Sequence, residues 1–247
     1  MNTAGISSDS CSGFPKLKYL WFRSDYYYWH ETDFAAFKYC CQNSPMLEEI
    51  HVHGCLECWE IHDSAAKSIG PLVQRPALRK LDLNIEEPEE FNDSLMNLLN
   101  CPGEKPNLEE LVLHGEYSPY ISLRLIYQFV NGNKNLKSLE LSGIVRNCTG
   151  IVLELNEEIK EKETAISELI KILTCDNGLH EIKLHELCIS DGTYRTIPII
   201  GDDLAKKYTS GRIIKREEFP KMVEDLRNSD LHRLPFTPED SEQKTFL

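Results

Sequence analysis

A mixed α/β fold, with parallel strands in one layer and helices in the other, is predicted by three observations on this chain of 247 residues. Six segments share the spacing Leu-x-x-apolar-x-apolar. Their first leucines recur at near-constant intervals, and the stretches between them carry apolar residues at helical i, i+3, i+4 spacing. At roughly 150 residues per domain, the length suits one domain or a little more.

The segments in order are Leu17-Leu20-Phe22, Leu47-Ile50-Val52, Leu78-Leu81-Leu83, Leu108-Leu111-Leu113, Leu136-Leu139-Leu141 and Leu179-Ile182-Leu184, spaced by 30, 31, 30, 28 and 43 residues. In the second half of each, alternation puts two apolar side chains on one face of a short strand and turns the residues between them to the other face. One such strand cannot bury its apolar face alone. Stacked in parallel, the strands and their return segments enclose a continuous core. Pro15, Pro45, Pro76 and Pro106, each two residues before a first leucine, give a rigid entry where no ladder donor is needed.

The return segments read as helices. Residues 31–42 carry Phe34, Phe37, Tyr39, Cys40 and Cys41; 63–74 carry Ala65, Ala66, Ile69, Leu72 and Val73. Residues 91–99 carry Leu95, Met96, Leu98 and Leu99, and 121–130 carry Leu125, Ile126, Phe129 and Val130. In the lengthened fifth interval, 153–173 form one long amphipathic helix with an acidic outer face and Glu158 and Lys162 at i,i+4, stopped by Asn177-Gly178. It is expected to cover the core; an acidic partner-binding helix is the alternative. Units of about 30 residues then build a curved α/β solenoid, strands inside and helices outside. Beyond Ile189, an edge strand at 195–200 and a helix at 217–227 with Phe219, Met222, Val223 and Leu226 form a C-terminal cap. The expected organisation is a flexible tail at 1–13, the solenoid at 14–189, the cap at 190–234 and a mobile tail at 235–247, where Thr237-Pro238 matches a proline-directed phosphosite.

These residues resemble the leucine-rich-repeat family in its long, helix-containing varieties. Pro45-Met46-Leu47-Glu48-Glu49-Ile50-His51-Val52-His53-Gly54-Cys55 is similar to the cysteine-containing repeats of F-box/leucine-rich-repeat proteins, as are 106–115 and 135–143. The unit length also resembles the ribonuclease-inhibitor-like variety. The resemblance implies an interaction module that binds another protein on its concave face, as a target-recognition subunit or adaptor of a ubiquitin ligase. A stand-alone regulator, inhibitor or signalling scaffold is the alternative, and a GTPase activator or other enzyme on this fold comes third. The thirteen residues before the first unit are too few for an F-box, so a ligase role implies a fragment, a truncated isoform or docking through another element.

Charge narrows the partners. Lys and Arg total 27 against 40 Asp and Glu, a formal charge of −13, which argues against nucleic acid because phosphate contacts need a clustered positive face. The longest apolar runs, Tyr19-Leu20-Trp21-Phe22 and Ile197-Pro198-Ile199-Ile200, fall far short of the ~20 residues of a spanning helix, so no membrane partner is expected. Nine cysteines, an odd count without a pairing pattern or a secretory signal, point to reduced thiols and a cytoplasmic or nuclear location. The sequons at Asn92 and Asn147 are then chance matches.

The outward strand positions form three columns. The first is Tyr19, Glu49, Lys80, Glu110, Ser138 and Glu181; the second Trp21, His51, Asp82, Val112, Glu140 and Lys183; the third Arg23, His53, Asn84, His114, Ser142 and His185. All but Ser138, Glu181, Val112, Ser142 and His185 are candidate partner-binding residues; a merely solvated face is the alternative. Trp21 between Tyr19 and Arg23 is the leading hot-spot candidate, since aromatic and Arg anchors dominate interface energy. A lateral ladder Glu49-Lys80-Glu110 is expected. Tyr26-Tyr27-Tyr28-Trp29 either extends this patch or, as the preferred reading, seals the open end.

No cofactor, metal or catalytic residue is assigned. His51, His53, Cys55, Cys58 and His62 crowd within twelve residues, but the repeat assignment turns His51 and His53 to the concave side while Cys55 begins the turn toward the core, and the second Cys pair of a zinc knuckle is missing. No nucleophile elbow, phosphate loop, H-E-x-x-H or dinucleotide turn occurs, and Cys40-Cys41 lie on a core-facing helix, so no enzyme is expected.

Overall fold

The computed structural model describes residues 14–23, 31–55, 75–86, 107–114, 120–145, 155–190 and 196–229. The expected tails, the aromatic run at 26–29 and the helices at 63–74 and 91–99 lie outside the described residues. Among those described, the order is β1 (Tyr19–Arg23), α1 (Glu31–Gln42), β2 (Glu49–Cys55), β3 (Lys80–Glu86), β4 (Glu110–His114), β5 (Tyr120–Ile121), α2 (Leu123–Gly132), β6 (Ser138–Val145), α3 (Leu155–Thr174), β7 (Glu181–Ser190), β8 (Thr196–Pro198), α4 (Asp202–Tyr208), β9 (Ile213–Lys215), a 3-10 turn (Arg216–Glu218) and α5 (Phe219–Asn228). The fold is α/β with a mostly parallel sheet in the order β1-β2-β3-β4-β6-β7-β8, in which β5 pairs with β6 and β9 with β7. No helix among the described residues is long and apolar enough to cross a membrane.

Four of the parallel strands, β1, β2, β3 and β6, enter the sheet in the same way. A tight turn brings the N–H of Leu17, Leu47, Leu78 or Leu136 to the carbonyl three residues earlier, on Phe14, Ser44, Arg75 or Asn133. Pro15, Pro45 and Pro76 occupy the second position of these turns, where the fixed φ of proline is pre-set. The prolines therefore shape the turn as well as dispensing with a ladder donor. The leucines that follow, from Leu47 to Leu179, are buried, as are the paired strand residues from Ile50 and Val52 through Ile182 and Leu184. At the β1 edge Leu20 and Phe22 are half-buried, with the Phe22 ring 5.2 Å from that of Phe37.

Helices close the apolar side of the sheet. Phe37 and Cys41 from α1, Leu123, Ile126, Phe129 and Val130 from α2, Ala165, Ile166, Leu169 and Ile172 from α3, and Met222, Val223 and Leu226 from α5 join the strand leucines in one core. In α1 and α3 the observed spans match the expected ones to within two residues; α2 starts at Leu123 because the Ser122 hydroxyl caps it, accepting from the Leu125 N–H.

Side chains staple one turn to the previous one. Arg75 Nη1 donates to the carbonyls of Cys41 (3.0 Å) and Ser44 (3.1 Å), Asn107 Nδ2 to that of Pro76 (3.1 Å), and buried Asn133 Nδ2 to that of Leu108 (3.1 Å). Asn133 Oδ1 also accepts the Asn135 N–H, so both ends of its amide are satisfied away from water.

The expected edge strand is present as β8, antiparallel to the end of β7. A second short strand, β9, covers the start of β7, and α4 lies between them in sequence; neither was anticipated. Together they occupy the outer edge of β7. Carboxylates pin this region: Glu181 accepts from Lys215, Glu218 takes a two-pronged contact from Arg212 (2.8 and 3.3 Å), and Asp225 accepts from Lys207 and from the buried-ring Tyr208. In each case the hydrogen-bonding cation, Lys215, Arg212 or Lys207, holds the carboxyl below its ordinary range.

Two outcomes follow. Asn133→Ala leaves the Leu108 carbonyl and the Asn135 N–H without their partner and lowers stability by about 1–3 kcal/mol, read from urea denaturation. A carboxyl depressed in the folded state stabilises above its unfolded pKa and stops doing so as pH falls through the folded one. The contribution of these carboxylates is therefore complete above about pH 5 and is lost below about pH 4, with the amides of Ile213–Lys215 the first to gain hydrogen exchange.

Candidate functional site

The site candidate is the face of the sheet turned away from the helices. Period-two alternation sends every second residue there, and the register lays them side by side. Tyr19 pairs with Glu49, Glu49 with Lys80, Lys80 with Glu110, Glu110 with Ser138 and Ser138 with Glu181. The second row runs Trp21, His51, Asp82, Val112, Glu140 and Lys183 in the same way. The third runs Arg23, His53, Asn84 and His114 and then fails: the register shifts between Leu141 and Gly143, so Ser142 is matched with neither His114 nor His185. The extra residue lies on β7, which advances from Leu184 to Leu187 while β6 advances from Leu141 to Gly143; Gly143 beside it has φ 130°, a backbone conformation that side chains resist.

The shift changes which groups meet. Over the small Ser142, the rings of His114 and His185 approach to 5.0 Å. Glu140 lies beneath them, its Oε1 within 2.7 Å of His185 Nε2, 2.9 Å of His114 Nε2 and 2.6 Å of Lys183 Nζ. Burial works against charge on Glu140, yet the hydrogen bonds from Lys183 and His185 prevail and hold its carboxyl below the usual range. Burial pushes the His114 imidazole down, against the opposing pull of Glu140, and His185 adds to the lowering. The Gly211 loop closes over this cluster; a Cβ there would stand 2.9 Å from His185 Cε1, and φ is +74°.

A second cluster occupies β1 to β3. Trp21 stacks on His51 at 5.4 Å and 27°, and its ring centre is 5.8 Å from that of His53. Asp82 takes one histidine on each oxygen: His51 Nδ1 at 2.9 Å from Oδ2 and His53 Nε2 at 3.4 Å from Oδ1. His51 Nε2 lies 3.3 Å from Glu49. Half of the expected ladder is formed, Lys80 Nζ to Glu110 at 2.9 Å, while Glu49 turns to His51. Val112 separates the two clusters, and Trp21 and Tyr19 stand 67% and 59% exposed at the β1 end.

The candidate residues are thus on one face, but not as a uniform strip. His185, left out of the candidate set, proves central; its place in the third column was legible, its reach across Ser142 was not. Of the cysteine-histidine crowd, Cys58 and His62 lie outside the described residues, and among the described side chains His51 and His53 share a cluster. Cys41 is buried and its thiol is pushed up to about 12 by that burial, so it is a poor nucleophile at neutral pH.

The His114 ring is expected to titrate below the 6.5 of a free imidazole, read from its ring-proton shifts in an NMR pH series. Glu140→Gln removes the charge that Lys183 and His185 hydrogen-bond and lowers stability by about 1–3 kcal/mol in denaturant melts. Scanned against family models and against curated proteins, the chain matches none.

Proposed function

We propose that the chain is a leucine-rich-repeat solenoid acting as a cytoplasmic protein-interaction module, which seats a partner on the concave, strand-bearing face in the manner of an F-box/leucine-rich-repeat target-recognition subunit. The observation that carries this reading is the pair Tyr19 and Trp21, two large aromatics left open to solvent beside a dense polar patch. Aromatic anchors ringed by polar groups are what interface energy concentrates on. Trp21 is held against His51, so little side-chain freedom remains to be lost on binding.

The solenoid part of the reading is supported by the register. Residues about thirty apart, Tyr19, Glu49, Lys80 and Glu110, are direct neighbours in adjacent parallel strands. Adding the same unit extends the same face by one strand, which suits recognition of an extended protein surface. The acidic balance favours a partner with a basic patch and gives no support to nucleic acid.

Affinity purification of the whole chain tests the reading. Recovery of a cullin with its Skp-type adaptor supports the ligase role, and recovery of a target without them supports a stand-alone regulator or scaffold. Trp21→Ala, at an exposed position, is expected to weaken capture of the recovered partner by about tenfold or more with an unchanged melting temperature. Undiminished capture by this variant sinks the choice of face.

A further inference from the structure

We propose that His51, His53 and Asp82 form a binding site for a single zinc-class divalent cation on the open face of β2 and β3. Each offers one donor atom, and the three donors lie within 4.8 Å of one another. A four-coordinate zinc holds its ligands at about 2.0–2.2 Å, which sets neighbouring donors roughly 3.4 Å apart. His53 Nε2 and Asp82 Oδ1 are separated by 3.4 Å, which matches that spacing, while His51 Nδ1 approaches the other carboxylate oxygen, Oδ2, at 2.9 Å.

Two further observations favour a cation over a simple hydrogen-bonded cluster. His53 Nε2 is shut away from solvent and makes no hydrogen bond, although it faces a carboxylate oxygen; its direction suits a shared ligand and not a shared proton. His51 meets Asp82 through Nδ1 and Glu49 through Nε2. With Nε2 donating to Glu49, Nδ1 is free to ligate, the carboxylate–histidine–metal arrangement that orients a ligand and raises its basicity.

The similar trio His114, Glu140 and His185 is not assigned a metal. There the Lys183 ammonium sits 2.6 Å from Glu140 Oε1, the same oxygen both histidines approach, and a fixed positive charge stands where the ion would go. Two imidazoles and one carboxylate leave a tetrahedral zinc at least one position for water or for a donor from a bound molecule.

The proposal does not rest on the partner-binding reading, although its ligands lie on the same face, and its test is direct binding. Equilibrium dialysis of the purified chain against zinc is expected to show one equivalent bound; His53→Gln and Asp82→Asn should each weaken uptake by at least about tenfold, and Glu49→Gln by about 10- to 100-fold. His114→Gln, Cys58→Ser and His62→Gln should leave it unchanged. Cobalt(II) should quench the fluorescence of Trp21 saturably at one equivalent, and Trp21→Phe should keep zinc uptake while losing that quenching. The cobalt result stands on the natural sequence, so it decides the matter even where a ligand variant fails to fold. No uptake at micromolar zinc, uptake abolished by Cys58→Ser, or cobalt binding without quenching overturns the assignment.

Discussion

The rest of the structure depends on one backbone interaction, made five times. The carbonyl of Lys18 accepts the N–H groups of both Glu48 and Glu49; those of Glu48, Arg79, Glu109 and Lys137 do the same for the next strand, at 2.7–3.1 Å. These paired bonds lock each strand to its neighbour at a fixed residue. Register matters here because side chains alternate strictly, so a slip by one residue would send the leucines to water and the charges inward. With the register held, the leucines before and within each strand fill one layer, and the open face inherits whatever lies between them.

That face is divided by composition and not by shape. Its β1–β3 part combines exposed aromatics with histidines and two carboxylates, whereas its β6–β7 part is an ion cluster drawn onto Glu140. Val112, one apolar residue in the middle row, stands between them. A parallel array with a constant backbone can thus carry two chemically distinct patches a few strands apart, each set by single substitutions that leave the core untouched.

Much of this was legible beforehand because period and spacing are properties of the chain alone. The six strands, the first two rows and the helices at 31–42 and 155–174, the latter read from the sequence as 153–173, follow from apolar periodicity, which the register converts into neighbours. What escaped is tertiary. Strands as short as Tyr120–Ile121 and Ile213–Lys215 carry too few residues for a period and exist because β6 and β7 offer them free edges. The His114–His185 contact needed the register shift at Gly143 and the small Ser142, neither of which alternation foresees. The pairing of His51 and His53 with Asp82 was hidden by the nearby cysteines, which draw attention along the chain when the true neighbour lies 30 residues away, across the ladder.

The short antiparallel strands on β7 also bear on how such a sheet lengthens over evolutionary time. Because β8 and β9 run against the parallel direction and take up the β7 edge, a further parallel strand has nowhere to pair beyond it. A duplicated stretch of about thirty residues would be accommodated only upstream, where every interface is parallel and the turn-and-leucine entry recurs. Gene duplication acting on this architecture therefore widens the β1–β6 side, and the ion cluster against the capped edge is the part that such growth leaves unchanged.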